Sequence, residues 1–177
     1  MSNERFVLEN VLPGWAEPDH IIGTPRMQKV EGFYYFYIEQ THPAQGEKEK
    51  PVNSMIERVG QLFQQYSPVC RPPLLVMWFL VDKEGPYQYD IQVGYVISEE
   101  IPVEGEAKVR YVPPTLCGSL VASGDVKVYA SSYGPLLDFM DSQGYLPVEG
   151  FRETCLYWEG EKSKNNIIWI QHPALAK

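Results

Sequence analysis

The chain has 177 residues, 44% of them hydrophobic and 21% charged, with a formal net charge of −8. That balance builds one globular domain, or two small modules sharing a core, and excludes a disordered chain. With no basic cluster to neutralise phosphates it argues against nucleic acid as a partner, and no apolar run approaches the roughly 18 residues of a membrane span.

Residues 1–27 are rich in Pro and Gly and lack strong periodicity, so they read as an N-terminal extension ahead of a domain at 28–177. The opening "MSNERFVLEN" has no apolar core of a signal peptide. Cys70, Cys117 and Cys155 are odd in number and form no CxxC pair, which fits a reduced, cytoplasmic setting. His20, His42 and His172 are scattered and give no metal-ligand spacing, so neither a metal nor a cofactor is expected.

The aromatic run "VEGFYYFYIEQ" (30–40) predicts a strand. In "VNSMIERVGQLFQQY" (52–66), Val52, Met55, Ile56, Val59, Phe63 and Tyr66 recur at helical spacing, with Ser54 and Glu57 as a capping box. "LLVMWFLVD" (74–82) is apolar on both faces and predicts an interior strand, and "YDIQVGYVI" (89–97) predicts another. Residues 98–114 read as a connector. The order then repeats: strand 115–122, a helix capped by Asp125 and kinked or divided at Gly134-Pro135, a strand over 151–159, and a closing strand over 166–174. The charged runs at 47–50, 104–108 and 160–164 read as solvated turns.

Two β-α-β-β modules result, at about 30–97 and 115–173. The expected class is α+β, with antiparallel sheets, helices on one face and a ligand cleft between the modules. The pieces "YDIQVGYVI", "VRYVPPTLCGSLVASGDV", "LLDFMDSQGYLPVEGFRETCLYW" and "IIWIQHPA" stand in order and resemble the GyrI-like small-molecule-binding superfamily, which includes the effector-binding domains of multidrug-responsive transcription activators. The resemblance covers most of the chain after the extension. It implies a pseudo-twofold pair of β-α-β-β modules, in a stand-alone member without a helix-turn-helix.

Two departures stand out. "VPPTLCG" replaces the family's "LPAG", and Trp169 stands where an acid is usual.

Glu153 of "FRETCLYW" matches the family glutamate that points into the cleft and pairs with cationic aromatic ligands. Alternation puts Tyr157 beside it, with Cys155 as a packing residue. On 33–39, alternation separates Phe33, Tyr35, Tyr37 and Glu39 from Tyr34, Phe36 and Ile38; Tyr35 and Tyr37 are the expected cleft wall. Trp78 is expected on an inner strand, with Tyr95 and Trp169 facing each other across the cleft. The partner expected is therefore a small molecule, apolar or aromatic, cations among them, in a sensing or sequestering role. The alternative is hydrolysis of strained, cyclopropane-bearing electrophiles, with Glu153 catalytic and Glu39 or Glu159 as a second acid. A third reading is a protein-interaction module.

Overall fold

A computed structural model describes residues 21–43, 51–68, 75–81, 88–148, 150–160 and 162–177. The class is α+β, and the chain divides into two compact units. No helix among the described residues is long and apolar enough to cross a membrane.

The leading unit comprises Lys29–Thr115 and Glu149–Thr154. Its module runs β3 (Phe33–Pro43), α1 (Pro51–Tyr66), β4 (Leu75–Val81) and β5 (Gln88–Ile97). The strands are antiparallel with β5 between β3 and β4. β4 is interior, as its two apolar faces imply, because Phe151–Thr154 of β9 (Phe151–Tyr157) borders its other side.

Alternation gives β3 two faces. Phe36 packs on Phe63 and Tyr66 of α1, each with ring centroids 5.9 Å apart. α1 buries Met55, Val59 and Leu62, and each such side chain contributes roughly 1.5–3 kcal/mol on leaving water. The helix starts at Pro51, so Ser54 lies inside its first turn rather than at the expected N-cap. It ends at Ser67, whose φ is 47° and whose N–H donates to the Phe63 carbonyl at 2.9 Å.

The connector expected over 98–114 contains a further strand, β6 (Lys108–Val112), paired with β3 so that Arg110 stands opposite Tyr35. In "KVRYV" the odd positions, Val109 and Tyr111, lie opposite the even ones, which is a strand pattern. It ends at Pro113-Pro114, which cannot donate to a ladder.

The trailing unit comprises residues up to Gln28, Leu116–Val148 and Cys155–Lys177. It repeats the module as β7 (Thr115–Ser123), α2 (Val126–Ser142), the end of β9 and β10 (Ile167–Ala176). β10 takes the middle place, between β7 and β9, as β5 does in the leading unit. Part of the expected extension is sheet: β1 (Ile21–Ile22) pairs with Ser123 and Ala122, and β2 (Arg26–Val30) also pairs with β7. Residues 1–20 lie outside the described part. β8 (Tyr145–Pro147) adds a short pairing to the end of β10.

Asp125 caps α2 as expected, its carboxylate accepting from the Lys127 N–H at 2.9 Å. Pro135 sits inside one continuous helix and does not divide it. Tyr129, Ser132, Leu136 and Met140 form its buried stripe. Met140 lies over Gly118, where a β-carbon would overlap its sulfur. Gly118, Leu120 and Ala122, with their partners His172, Ile170 and Ile168, therefore face α2; Trp169 and Gln171 take the other side of β10.

Candidate functional site

α1 covers one face of the leading unit's sheet, and no helix among the described residues of that unit covers the other. This second face is aromatic, and its central side chains are buried. Tyr35 and Tyr37 stack with centroids 4.9 Å apart and planes 6° from parallel, and Trp78 lies 6.2 Å from Tyr35. Val76 and Val112 are buried with them, and Phe33 and Val96 pack at the edge. Gly94, opposite Tyr37, makes the stack possible: a β-carbon there would lie 2.7 Å from Tyr37 Cα. The Tyr35 hydroxyl donates to the Val76 carbonyl at 2.8 Å, so Tyr35 is a core residue with its polar end satisfied.

Into this aromatic set β6 inserts a cation. The Arg110 guanidinium carbon lies 4.4 Å from the centroid of Trp78, 5.2 Å from that of Tyr37 and 5.9 Å from that of Tyr35. Its Nη2 donates to Gln92 Oε1 at 2.7 Å. Gln92, 2% exposed, passes its own N–H to Glu39, which Lys108 reaches at 3.1 Å. Partial burial pushes the Glu39 carboxyl up, but hydrogen bonds from Gln92 and Lys108 and the charges of Lys108 and Arg110 outweigh it and hold the group below its ordinary range. The Lys108 ammonium is pushed up chiefly by its hydrogen bond to Glu39. Arg152, 1% exposed, brings a further guanidinium 5.0 Å from Trp78 and 5.6 Å from Phe33. The Arg110 Nε and Trp78 Nε1 donors are buried and have no hydrogen-bond partner among the described residues.

Of the residues singled out in the sequence, Tyr35, Tyr37 and Trp78 meet on this face. Tyr95 does not. It pairs with Phe36 and packs 4.5 Å from Phe63, on the side that α1 covers. Arg152 is the β9 residue that reaches Trp78, while Phe151 stacks on Phe79 at 4.8 Å. By alternation Glu153, half-buried, shares the Phe151 and Phe79 side. In the trailing unit the Tyr157 hydroxyl donates to Glu159 at 2.6 Å. That bond, with others from Ser163 and Asn165, holds the exposed Glu159 carboxyl low. Trp169 is half-buried, its indole N–H buried without a partner among the described residues.

Two residues central to the site, Arg110 and Gln92, were not singled out in the sequence. Their signal was the alternation of "KVRYV" and the polar Gln set between Ile91 and Val93 in "DIQVG".

A separate hollow of about 310 Å³ lies beside α1, lined by Ile38, Glu39, Met55, Arg58 and Glu106, with Arg58 and Glu106 ion-paired across it. No group of three or more His, Cys, Asp or Glu able to hold a metal occurs among the described residues.

The same architecture occurs in solved structures. The EcmrR C-terminal domain superposes with a TM-score of 0.73 at 16% identity, covering 87% of this chain and 98% of that one. The chain has the GyrI-like fold. SAV2435 bound to tetraphenylphosphonium shares this GyrI-like architecture, with a TM-score of 0.61 at 14% identity over 85% of this chain and 93% of its own. A hydrolase from Listeria innocua matches with a TM-score of 0.56 at 12% identity over 98% and 96%. In the EcmrR–DNA complex the chain spans 63% of the EcmrR chain. No family model and no curated protein matches the sequence.

Proposed function

We propose that the chain binds a small molecule with an apolar or aromatic body at the helix-free face of the leading unit, in a sensing or sequestering role. One observation carries this reading. An aromatic sheet face that no helix of its unit covers holds a half-buried arginine to which no described carboxylate is ion-paired. Aromatic walls with a few placed polar groups are the usual make-up of a small-molecule site. The tetraphenylphosphonium held by the fold neighbour SAV2435 supports a ligand of aromatic bulk. Glu153 keeps a proposed part in ligand contact away from this face, on the Phe79 side of β9, and Tyr157 and Trp169 keep theirs within the trailing unit.

Binding ranks above hydrolysis. A second general acid beside Glu153 needs a carboxyl pushed up towards neutrality, whereas Glu39 and Glu159, the two candidates for that part, are both held low. A thermal-shift and tryptophan-fluorescence screen with aromatic compounds tests the reading. Saturable quenching that Trp78→Leu weakens is expected; a flat response to every compound would end it.

A further inference from the structure

The binding reading leaves the charge of the ligand unassigned. We propose that the helix-free face of the leading unit selects an anion, an aromatic body bearing a carboxylate or another oxyanion, with Arg110 as its counter-charge. This rests on the binding reading for the same face.

A guanidinium carries five N–H donors. Among the described residues Arg110 uses one hydrogen-bond partner, the neutral Gln92, and has no ion pair; its Nε donates to nothing. The rings of Trp78, Tyr37 and Tyr35 stabilise the cation through their faces but supply no acceptor. A half-buried cation that meets its nearest acid, Glu39, only through the neutral Gln92 is poorly compensated, and a planar oxyanion taken side-on by the guanidinium fork removes that cost.

The neighbouring charges point the same way. Glu39, the acid nearest the network, is held by Gln92 and Lys108. Register places Asp90 on this side of β5, two residues from Gln92. Among the described residues of this face the cations Lys108, Arg110 and Arg152 outnumber the acids Glu39 and Asp90, in a chain whose net charge is −8. A cationic ligand stacked on Trp78 would meet Arg110 at 4.4 Å and Arg152 at 5.0 Å from the same ring. The aromatic cage already contains a cation, and it belongs to the chain.

Calorimetric titration of the intact chain with 2-naphthoate, 2-naphthamide and 2-naphthylmethylammonium tests this at constant ring shape. The naphthoate is expected to bind at least about tenfold more tightly than the other two, the size of a charge-assisted pair, and to weaken with added salt. Arg110→Met should remove that preference, and Arg110→Lys should keep its sign with a smaller ratio. Tighter binding of the ammonium probe, or an anion preference untouched in Arg110→Met, overturns the inference while the binding reading stands. Saturable binding of none of the three overturns the binding reading itself. Should Arg110→Met not fold, the ranking in the unsubstituted chain and in Arg110→Lys decides.

Discussion

Replacing Arg110 with Met tests how the aromatic face is held together without any ligand. Met keeps an apolar stem but loses the guanidinium, so two interactions disappear. The cation–π contact with Trp78, at 4.4 Å, is worth about 1 kcal/mol at a half-buried site, and the longer contacts with the tyrosines add less. The Gln92 Oε1, on a side chain 2% exposed, loses its donor, which costs about 1–3 kcal/mol for a buried acceptor. Freeing a poorly paired cation from a half-buried place offsets part of this. The net expectation is a destabilisation of about 2 kcal/mol, or a fall in Tm of roughly 4–8 °C for a chain of this size.

Urea unfolding followed by far-UV circular dichroism and tryptophan fluorescence measures it, with an unchanged m-value as the control for two-state behaviour. Combining Arg110→Met with Gln92→Leu closes a double-mutant cycle. Because Leu removes the orphaned acceptor, the pair should cost less than the sum of the singles, by about 1 kcal/mol. Full additivity, or an Arg110→Met chain as stable as the original, would refute the idea that Gln92 and the rings hold this guanidinium.

Other expectations follow from single positions. Gly94→Ala should cost about 1–3 kcal/mol or more, because the new methyl meets the backbone of Phe36 and Tyr37, which cannot move aside. Gly118→Ala should cost less, since its methyl meets the flexible end of Met140, and Met140→Ala in the same chain should relieve it; both are read from urea midpoints. Asp125→Ala should lower stability by about 1 kcal/mol through loss of the α2 cap. Burial pushes the His172 imidazole down, so the unfolded chain takes up the proton more readily than the folded one. Its contribution is therefore full above the ordinary value of 6.5 and is lost as pH falls from there through the lower folded value; His172→Gln should flatten that part of the stability–pH curve.

The element order was legible because both periodicities are strong. Period two in "FYYFYIE" and three-four spacing in "VNSMIERVGQLFQQY" leave little choice, and the repeated module followed from them. What escaped was short. β6 has five residues and is followed by two prolines, and β8 has three and ends on Pro147, and such prolines mark loops as readily as strand ends. Missing β6 hid Arg110, and with it the cation inside the aromatic set. Alternation sorted β3 correctly into a face for α1 and a face without it, but could not show which face of β5 joins which. Register decides that: Phe36 stands opposite Tyr95, so Tyr95 goes to the helix side, and Glu39 stands opposite Gln92, so Gln92 joins the aromatic face. On β9 the same alternation separates Glu153 from Arg152, and only the Arg152 contact with Trp78 tells which of them looks onto the rings.

The central claim is that a small molecule settles on the helix-free face of the leading unit. The Trp78 indole N–H reports on that face directly, since it donates to no described residue and its ring lies against Arg110 and Arg152. A ¹H–¹⁵N NMR titration with 2-naphthoate, the Trp78 signal assigned by its loss in Trp78→Phe, should show that resonance shifting saturably, with a weaker response in Arg110→Met. Saturable binding that moves other tryptophan signals and leaves the Trp78 indole in place would contradict the account.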